Sequence, residues 1–384
     1  MVSVRKILLL IPVLFFIARG GFCMHDVLFT FDNGDIIKRI DDTVIVDFAG
    51  KRNVLSSSVF NGGWREDLKA VFNHHPQPEA QAMTLEAYKD NISRVASELG
   101  YSPAHIMAMG TGVTMENIVL KSEIYDDLQV LVAVTAGAEG NAGRAGDKAL
   151  YPGKENKILS NGTINIIVYF NADVLPGSMA RAIMMATEAK SAALQELLLG
   201  SKFSNGLATG TGTDQIAIIA CPQSNYLITD CGKHTKPGEL VGRLVKAAVK
   251  GALLKWNGYD GKTMYDVRRR MARFGFTEQR LFDDYNKFYQ TTLSESVLRT
   301  AIIKMNMTPQ IVALTSLYAH LLDQFQWGLL SEEEVAACGE NILSQIAGTD
   351  LDMAVHRLDT IEALAEHWEE AYLAALHKTL TVSD

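Results

Sequence analysis

The stretch Ala208–Ala220, ATGTGTDQIAIIA, constrains this chain more than any other. Thr209, Gly210, Thr211, Gly212 and Thr213 make a tight polar loop, Asp214 follows, and the β-branched apolar tail reads as a buried strand. Glycine admits left-handed backbone and close approach. Successive N–H groups can then line a concavity that receives an anion or oxyanion. An ordinary β-turn needs only one or two such residues.

Three more polar, glycine-bearing loops sit beside apolar runs. Ser56, Ser57 and Ser58 precede Asn61, Gly62 and Gly63; Thr135, Ala136 and Gly137 lead to Asn141, Arg144, Gly146 and Asp147; Gly162 and Thr163 lead to Asn165. Each alone is ordinary turn chemistry. Together, at the ends of apolar strands, they argue for one cleft, because strand ends converge in sheet proteins. The strands read as Val27–Phe31, Thr43–Phe48, Asn53–Leu55, His105–Met109, Gln129–Val134, Thr163–Phe170 and Gln215–Cys221, with Asp32 to Asp35 as a hairpin turn. Helical spacing runs from Glu79 to Leu99 and stops at Gly100. A second helix is expected from Ser178 as N-cap to about Leu199, with Gly200 ending it, and a third starts at Pro237. From Lys262 to about Lys378 the periodicity is helical, with Ser331 and Glu334 as a capping box and Asp350 as the expected N-cap of the last helix. The fold class is therefore α+β (mixed α/β). It comprises a sheet with packed helices over residues 24–256, a break at 257–261, and an all-helical C-terminal region over 262–384.

Residue types narrow the chemistry. A net charge of −8 and the lack of a basic, aromatic-interleaved stripe exclude a nucleic-acid groove. Arg268, Arg269 and Arg270 read as a solvated helix face. The 4 cysteines form no C-x-x-C pair, which argues against a zinc site or a disulfide framework. Cys221 and Cys231 read as reduced thiols unless the compartment is oxidising. No G-x-S-x-G elbow occurs, Thr213-Asp214 lacks the lysine of a P-loop, and Gly110-Thr111-Gly112 lacks the third glycine of a dinucleotide fingerprint. His234 stands on an expected loop before a helix; histidine as a residue type titrates near neutrality, so this one is either a proton-transfer group or a surface histidine. Glu188 and Lys190 lie two apart on a helix and do not face each other; they line either solvent or the cleft. Arg5 and Lys6, the apolar run Ile7–Ala18 and Ala18-Arg19-Gly20 have the layout of an export signal. The competing reading starts translation at Met24 and places the protein in the cytoplasm.

The stretches NVLSSSVFNGGW (Asn53–Trp64), VTAGAEGNAGRAGD (Val134–Asp147), GTINIIVYFNADVL (Gly162–Leu175), ATEAKSAALQEL (Ala186–Leu197), LATGTGTDQIAI (Leu207–Ile218) and CGKHTKPGELVGRLV (Cys231–Val245) resemble, in order, the adenosylcobinamide amidohydrolase family. The resemblance covers roughly residues 25–255 and leaves the N-terminal segment and the helical extension unassigned. It implies hydrolysis of the amide joining the aminopropanol arm to the corrin ring, giving adenosylcobyric acid in corrinoid salvage. The corrin carries its own cobalt, so no metal held by protein side chains is expected. The partner is adenosylcobinamide or a related corrinoid. Membrane contact is expected only through the N-terminal signal, and the helical extension is a candidate module for a partner or for homo-oligomer formation.

Amide hydrolysis needs a nucleophile, a proton acceptor and donors for the oxyanion. The N–H groups of Gly210–Thr213 are the candidate oxyanion hole. His234 or Asp214 is the candidate base, activating water or a threonine hydroxyl, with Thr211 and Thr213 in the catalytic set. Asn141, Arg144 and Asp147 are candidates for the propionamides or the aminopropanol arm. Ser57, Asn61, Gly62, Thr135, Thr163, Asn165, Glu188, Lys190, Gly210 and Gly212 complete the expected substrate-binding set. A threonine nucleophile freed by self-cleavage at Gly162-Thr163 is a second route. The rival classes are a corrinoid-binding protein without catalysis and a phosphate- or nucleotide-binding transferase.

Overall fold

Alternating burial along the strands dictates how the layers stack, because successive side chains point to opposite faces of a sheet. The computed structural model describes residues 25–76, 84–138, 140–149, 162–350 and 360–382. The elements in order are β1 (His25–Thr30), β2 (Ile36–Ile40), β3 (Thr43–Asp47), β4 (Asn53–Ser56), β5 (Gly63–Arg65), β6 (Ala70–His74), α1 (Leu85–Glu98), β7 (Ile106–Gly110), β8 (Val119–Tyr125), β9 (Leu128–Ala136), β10 (Ala142–Gly143), β11 (Ile164–Phe170), β12 (Asp173–Val174), α2 (Pro176–Glu196), β13 (Gly210–Thr211), β14 (Gln215–Ala220), β15 (Leu227–Ile228) and α3 (Lys236–Asn257). The helices α4 (Val267–Met271), α5 (Glu278–Tyr289), α6 (Glu295–Asn306), α7 (Pro309–Gln326), α8 (Glu332–Ala347) and α9 (Ile361–Val382) follow.

Two sheets lie face to face. One is 5-stranded in the order β1-β2-β3-β6-β7, and the other is 6-stranded in the order β5-β4-β14-β11-β9-β8. All neighbours in them are antiparallel except β6 with β7 and β11 with β14. Val44, Val46, Met107 and Met109 of the first sheet pack on Leu131, Ala133, Ile167, Ala217 and Ile219 of the second. The second sheet's other face, through Val132, Ile166 and Ile218, receives α2 and α3. The first sheet's other face, through Ile45, Phe72 and Ile106, receives Tyr88, Ile92 and Ala96 of α1. The result is a four-layer α/β/β/α sandwich within the α+β class. The helices α4–α9 close around their own core of Phe276, Tyr318, Leu343, Trp368 and Tyr372. Arg273 joins them to the sandwich by bonding both the Asn205 carbonyl and the carboxylate of Asp323.

Local chemistry explains most boundaries. Gly34 turns the β1–β2 hairpin at φ +87°, and Asn33 Oδ1 accepts from Asp35 N at 3.1 Å. Thr235 caps α3 by accepting from Gly238 N, and Gly258 ends it in the left-handed region. Ser331 and Glu334 form the expected capping box. Four expectations need correction. Leu175, not Ser178, is the N-cap of α2; Pro176 opens the helix and Ser178 is buried in its first turn. That helix stops at Glu196, where Leu198 at φ +52° does what Gly200 was expected to do. The first turn of α9 is held by Thr360, whose hydroxyl accepts from Ala363 N, rather than by Asp350. Residues 1–24, including the signal-like run and Cys23, lie outside the described residues, as do 77–83 at the start of the first expected helix. Arg268 and Arg270 are not a solvated face: they bond Asp266, Glu278 and the Met264 carbonyl, and only Arg269 is exposed. Cys221 and Cys231 are buried free thiols.

The gap between the sheets is apolar in the middle and polar at both ends. At one end Asp35 takes two bonds from Arg52, at 2.6 and 2.7 Å, and one from the Tyr169 hydroxyl at 2.7 Å. That network pins the first hairpin to β11. The other end, about 13 Å away along β11, holds Asn165 and is where the sequence-predicted residues gather.

Candidate active site

At this end β11 and β14 begin side by side and β9 finishes, so three loops meet. Asp214, the last residue before β14, is the hub. Its Oδ1 accepts from Ile164 N at 2.9 Å and from the Thr211 hydroxyl at 2.6 Å; its Oδ2 accepts from Thr211 N at 2.9 Å and from Lys190 Nζ. Both charged side chains are only 9% exposed. Burial of this kind holds only when each partner is satisfied. Gly210 is required here for space, because a Cβ would meet Lys190 Nζ at 2.7 Å and run into the Asp214 carboxylate. Gly212 has open space above it.

Beside this pair, two donors converge on one backbone carbonyl. Asn141 Nδ2 donates to the Gly162 oxygen at 2.7 Å and the Thr213 hydroxyl donates to the same oxygen at 3.2 Å. The Thr163 hydroxyl in turn donates to the Thr213 carbonyl at 2.7 Å. On the inter-sheet side, Asn165 Nδ2 donates to Asn73 Oδ1 at 2.8 Å and to the Gly110 carbonyl at 2.9 Å, and Asn73 Nδ2 donates to the Thr135 hydroxyl at 2.9 Å. Three amide oxygens here, Asn141 Oδ1, Asn165 Oδ1 and Gln215 Oε1, are buried without a hydrogen-bond partner among the described residues. Unpaired acceptors at low dielectric are costly, and they suit a ligand that brings N–H groups. Trp256 packs against Gly137, and Asn257 Oδ1 accepts from Ala138 N, so the end of α3 walls this region.

The structure thus brings together Thr135, Asn141, Thr163, Asn165, Lys190, Gly210, Thr211, Gly212, Thr213 and Asp214. Other expected residues are used elsewhere. Ser57 Oγ accepts from Ile216 N at 3.0 Å and extends the β4–β14 pairing. Asn61 spends its amide on the carbonyls of Pro103 and Ile106, and Gly62 packs its Cα directly on Ser58. Arg144 and Asp147 fasten the 142–147 loop to the 201–207 loop, through Leu207 O and the Ser201 hydroxyl. Glu188 is exposed and pairs with Lys233. His234 is exposed on the loop before α3. It stands next to Lys233, whose pairing with Glu188 ties this loop to α2 two residues from Lys190. Of the loop amides expected to form an oxyanion hole, the Thr211 N–H is already taken by Asp214. Asn73 and Gln215 are members that sequence reasoning missed. Each falls in an apolar strand at the parity of the inter-sheet residues, and that polar break in the alternation is the signal.

Comparison with known proteins agrees with the family resemblance. The profile of the adenosylcobinamide amidohydrolase family matches residues 29–261. The chain belongs to this family. An uncharacterized protein of Methanocaldococcus jannaschii is 38% identical over 227 residues, covering 56% of this chain and 86% of that protein. Among solved structures, a protein from Pyrococcus horikoshii OT3 aligns over 60% of this chain and 82% of its own, with 10% identity and a TM-score of 0.27. The family match ends four residues into the connection after α3, so the cluster around Asp214 lies wholly inside the amidohydrolase-family part of the chain. The helices α4–α9 lie outside it. Among the described residues no helix is long and apolar enough to cross a membrane, and no three His, Cys, Asp or Glu residues gather as metal ligands.

Proposed function

We propose that this chain hydrolyses the amide between the aminopropanol arm and the corrin of adenosylcobinamide, releasing 1-amino-2-propanol and adenosylcobyric acid. The observation that carries the reading is the family match over 29–261 together with the polar cluster it encloses. The corrin periphery bears amide side chains, whose N–H groups complement the unpaired oxygens of Asn141, Asn165 and Gln215. Asp214 is the proton acceptor for water or a threonine hydroxyl, and Lys190 holds it in place. Asn141 Nδ2 and the Thr213 hydroxyl, which hold the Gly162 carbonyl in the intact chain, supply the donors for charge developing on a substrate carbonyl once that contact gives way. The substrate carries its own cobalt, and the residues assigned to the chemistry use no further metal. In this reading residues 24–256 are the catalytic domain and 262–384 an appended helical module.

The test is direct. Purified protein is incubated with adenosylcobinamide, and free aminopropanol and cobyric acid are followed by mass spectrometry. Release of both supports the reading. Tight corrinoid binding without release replaces it with a binding protein.

A further inference from the structure

The bond between Gly162 and Thr163 is set up as a reaction centre in its own right. The Gly162 carbonyl oxygen is shared by two side-chain donors, Asn141 Nδ2 at 2.7 Å and Thr213 Oγ1 at 3.2 Å. Two converging donors on a carbonyl are the arrangement that stabilises a tetrahedral oxyanion. The hydroxyl of the very next residue, Thr163, is 3% exposed and anchored on the Thr213 carbonyl at 2.7 Å. Gly162 sits at φ +111°, and a Cβ there would meet the Gly137 carbonyl oxygen at 2.7 Å, so only glycine permits this turn. Downstream, Ile164 N is fixed on Asp214 and Gly137 N on the Thr163 carbonyl, at 2.9 Å each. Thr163 is thus held rigidly at the head of β11, which lies between β14 and β9.

We propose that the chain cleaves itself between Gly162 and Thr163, making Thr163 an N-terminal residue. The Thr163 Oγ1 adds to the Gly162 carbonyl carbon, and the oxyanion is held by Asn141 and Thr213. The hydroxyl proton passes to the Thr163 nitrogen as the C–N bond breaks, leaving an ester between Gly162 and the Thr163 oxygen and a free amine. Water then adds to the ester carbonyl, and the Thr163 oxygen leaves with a proton. The products are a Gly162 carboxylate and a threonine with free amine and hydroxyl; no oxidant or reductant is involved. The amine so created lies next to its own hydroxyl and can serve as its base. Release of Gly162 also frees Asn141 and Thr213 to hold a substrate carbonyl. This second role, Thr163 as nucleophile, rests on the amide-hydrolysis reading above; the cleavage itself does not.

The experiment is intact-mass analysis and N-terminal sequencing of the purified full chain, after expression and after incubation at neutral pH. The expected result is a fragment beginning Thr163-Ile164-Asn165 that co-elutes with its N-terminal partner under native conditions. Thr163→Ser is expected to cleave, Thr163→Ala to remain intact, and Asn141→Ala to slow cleavage about 10²-fold or more. A wild-type chain that stays at one full-length mass overturns the proposal, whatever the variants do. Cleavage at the same bond in Thr163→Ala also overturns it, because an outside protease is then responsible. The aminopropanol assay is read separately: cleaved protein that releases no aminopropanol defeats the functional reading alone, and an uncut chain with full release defeats self-cleavage alone.

Discussion

Removing the Asp214 carboxylate should destabilise the sandwich far more than a surface substitution would. Asp214→Ala takes four bonds at once from Lys190, Thr211 N, Thr211 Oγ1 and Ile164 N. The dominant effect is the lysine. Its side chain is 9% exposed, so the ammonium is left nearly buried with no counter-charge. Breaking one side of such a pair costs about 3–5 kcal/mol, and the residual exposure argues for the lower part of that range. A loss of about 3 kcal/mol is a large share of the 5–15 kcal/mol that holds a typical domain together. The measurement is urea denaturation, with hydrogen exchange of the β11 and β14 amides separating the sandwich from the helical region. The control is Lys190→Met combined with Asp214→Asn, which removes both charges and keeps an acceptor for Ile164 N. The pair should be coupled by about 2 kcal/mol in that cycle. If Asp214→Ala costs under about 1 kcal/mol, or the double variant is no more stable than the single, the buried ion pair is not the hub described here.

Gly210→Ala should loosen the same pair without touching either charge, since its Cβ would meet Lys190 Nζ at 2.7 Å; a melting temperature equal to wild type would show that the loop has room to spare. Asp214→Asn is expected to cut aminopropanol release about 10²-fold or more if it accepts the proton, and His234→Ala to leave it within a few-fold of wild type; the opposite pattern would return the acid–base role to His234. His74 on β6 gives a pH signature. Burial depresses its pKa from 6.5 to about 4, with its ring nitrogen against the Thr43 hydroxyl at 2.8 Å. The unfolded chain therefore takes up a proton that the folded chain refuses. The contribution is whole above about pH 6.5 and falls away as pH drops toward 4, by at most about 3 kcal/mol. Urea midpoints from pH 4.5 to 7 should show that slope, and His74→Asn should flatten it; an unchanged slope removes His74 as its source.

What the sequence made legible were features decided by one residue's own chemistry. Gly34, Gly100 and Gly258 mark turns and helix ends because each adopts positive φ. The stacking of two sheets was not legible, because it depends on pairings far apart in the chain. β4 at 53–56 pairs with β14 at 217–220, and β6, AVFNH, is buried on both faces and shows no alternation. Lys190 could have been placed from periodicity: it stands four residues after Ala186 and four before Leu194, both on the buried stripe of α2, whereas Glu188 falls off that stripe.

The glycine–threonine loop teaches the sharper lesson about reading sites from sequence. Counting N–H groups suggested free donors for an oxyanion. Yet a carboxylate three residues after Thr211 is within reach of that same N–H, and aspartate in such a turn caps the nearby backbone. Asp214 does so, and it also draws in the Thr211 hydroxyl and Lys190. Part of the loop's polarity, the Thr211 amide and hydroxyl, is therefore spent internally on fixing Asp214. The side-chain donors aimed at a carbonyl are Asn141, from a neighbouring segment, and the loop's own Thr213 hydroxyl, both on Gly162. A loop rich in amides followed by an acid is thus better read as a mount for the acid than as an anion cradle. The chemistry then belongs to whatever that mount holds still, which here includes the first turn of β11 and the threonine at its head.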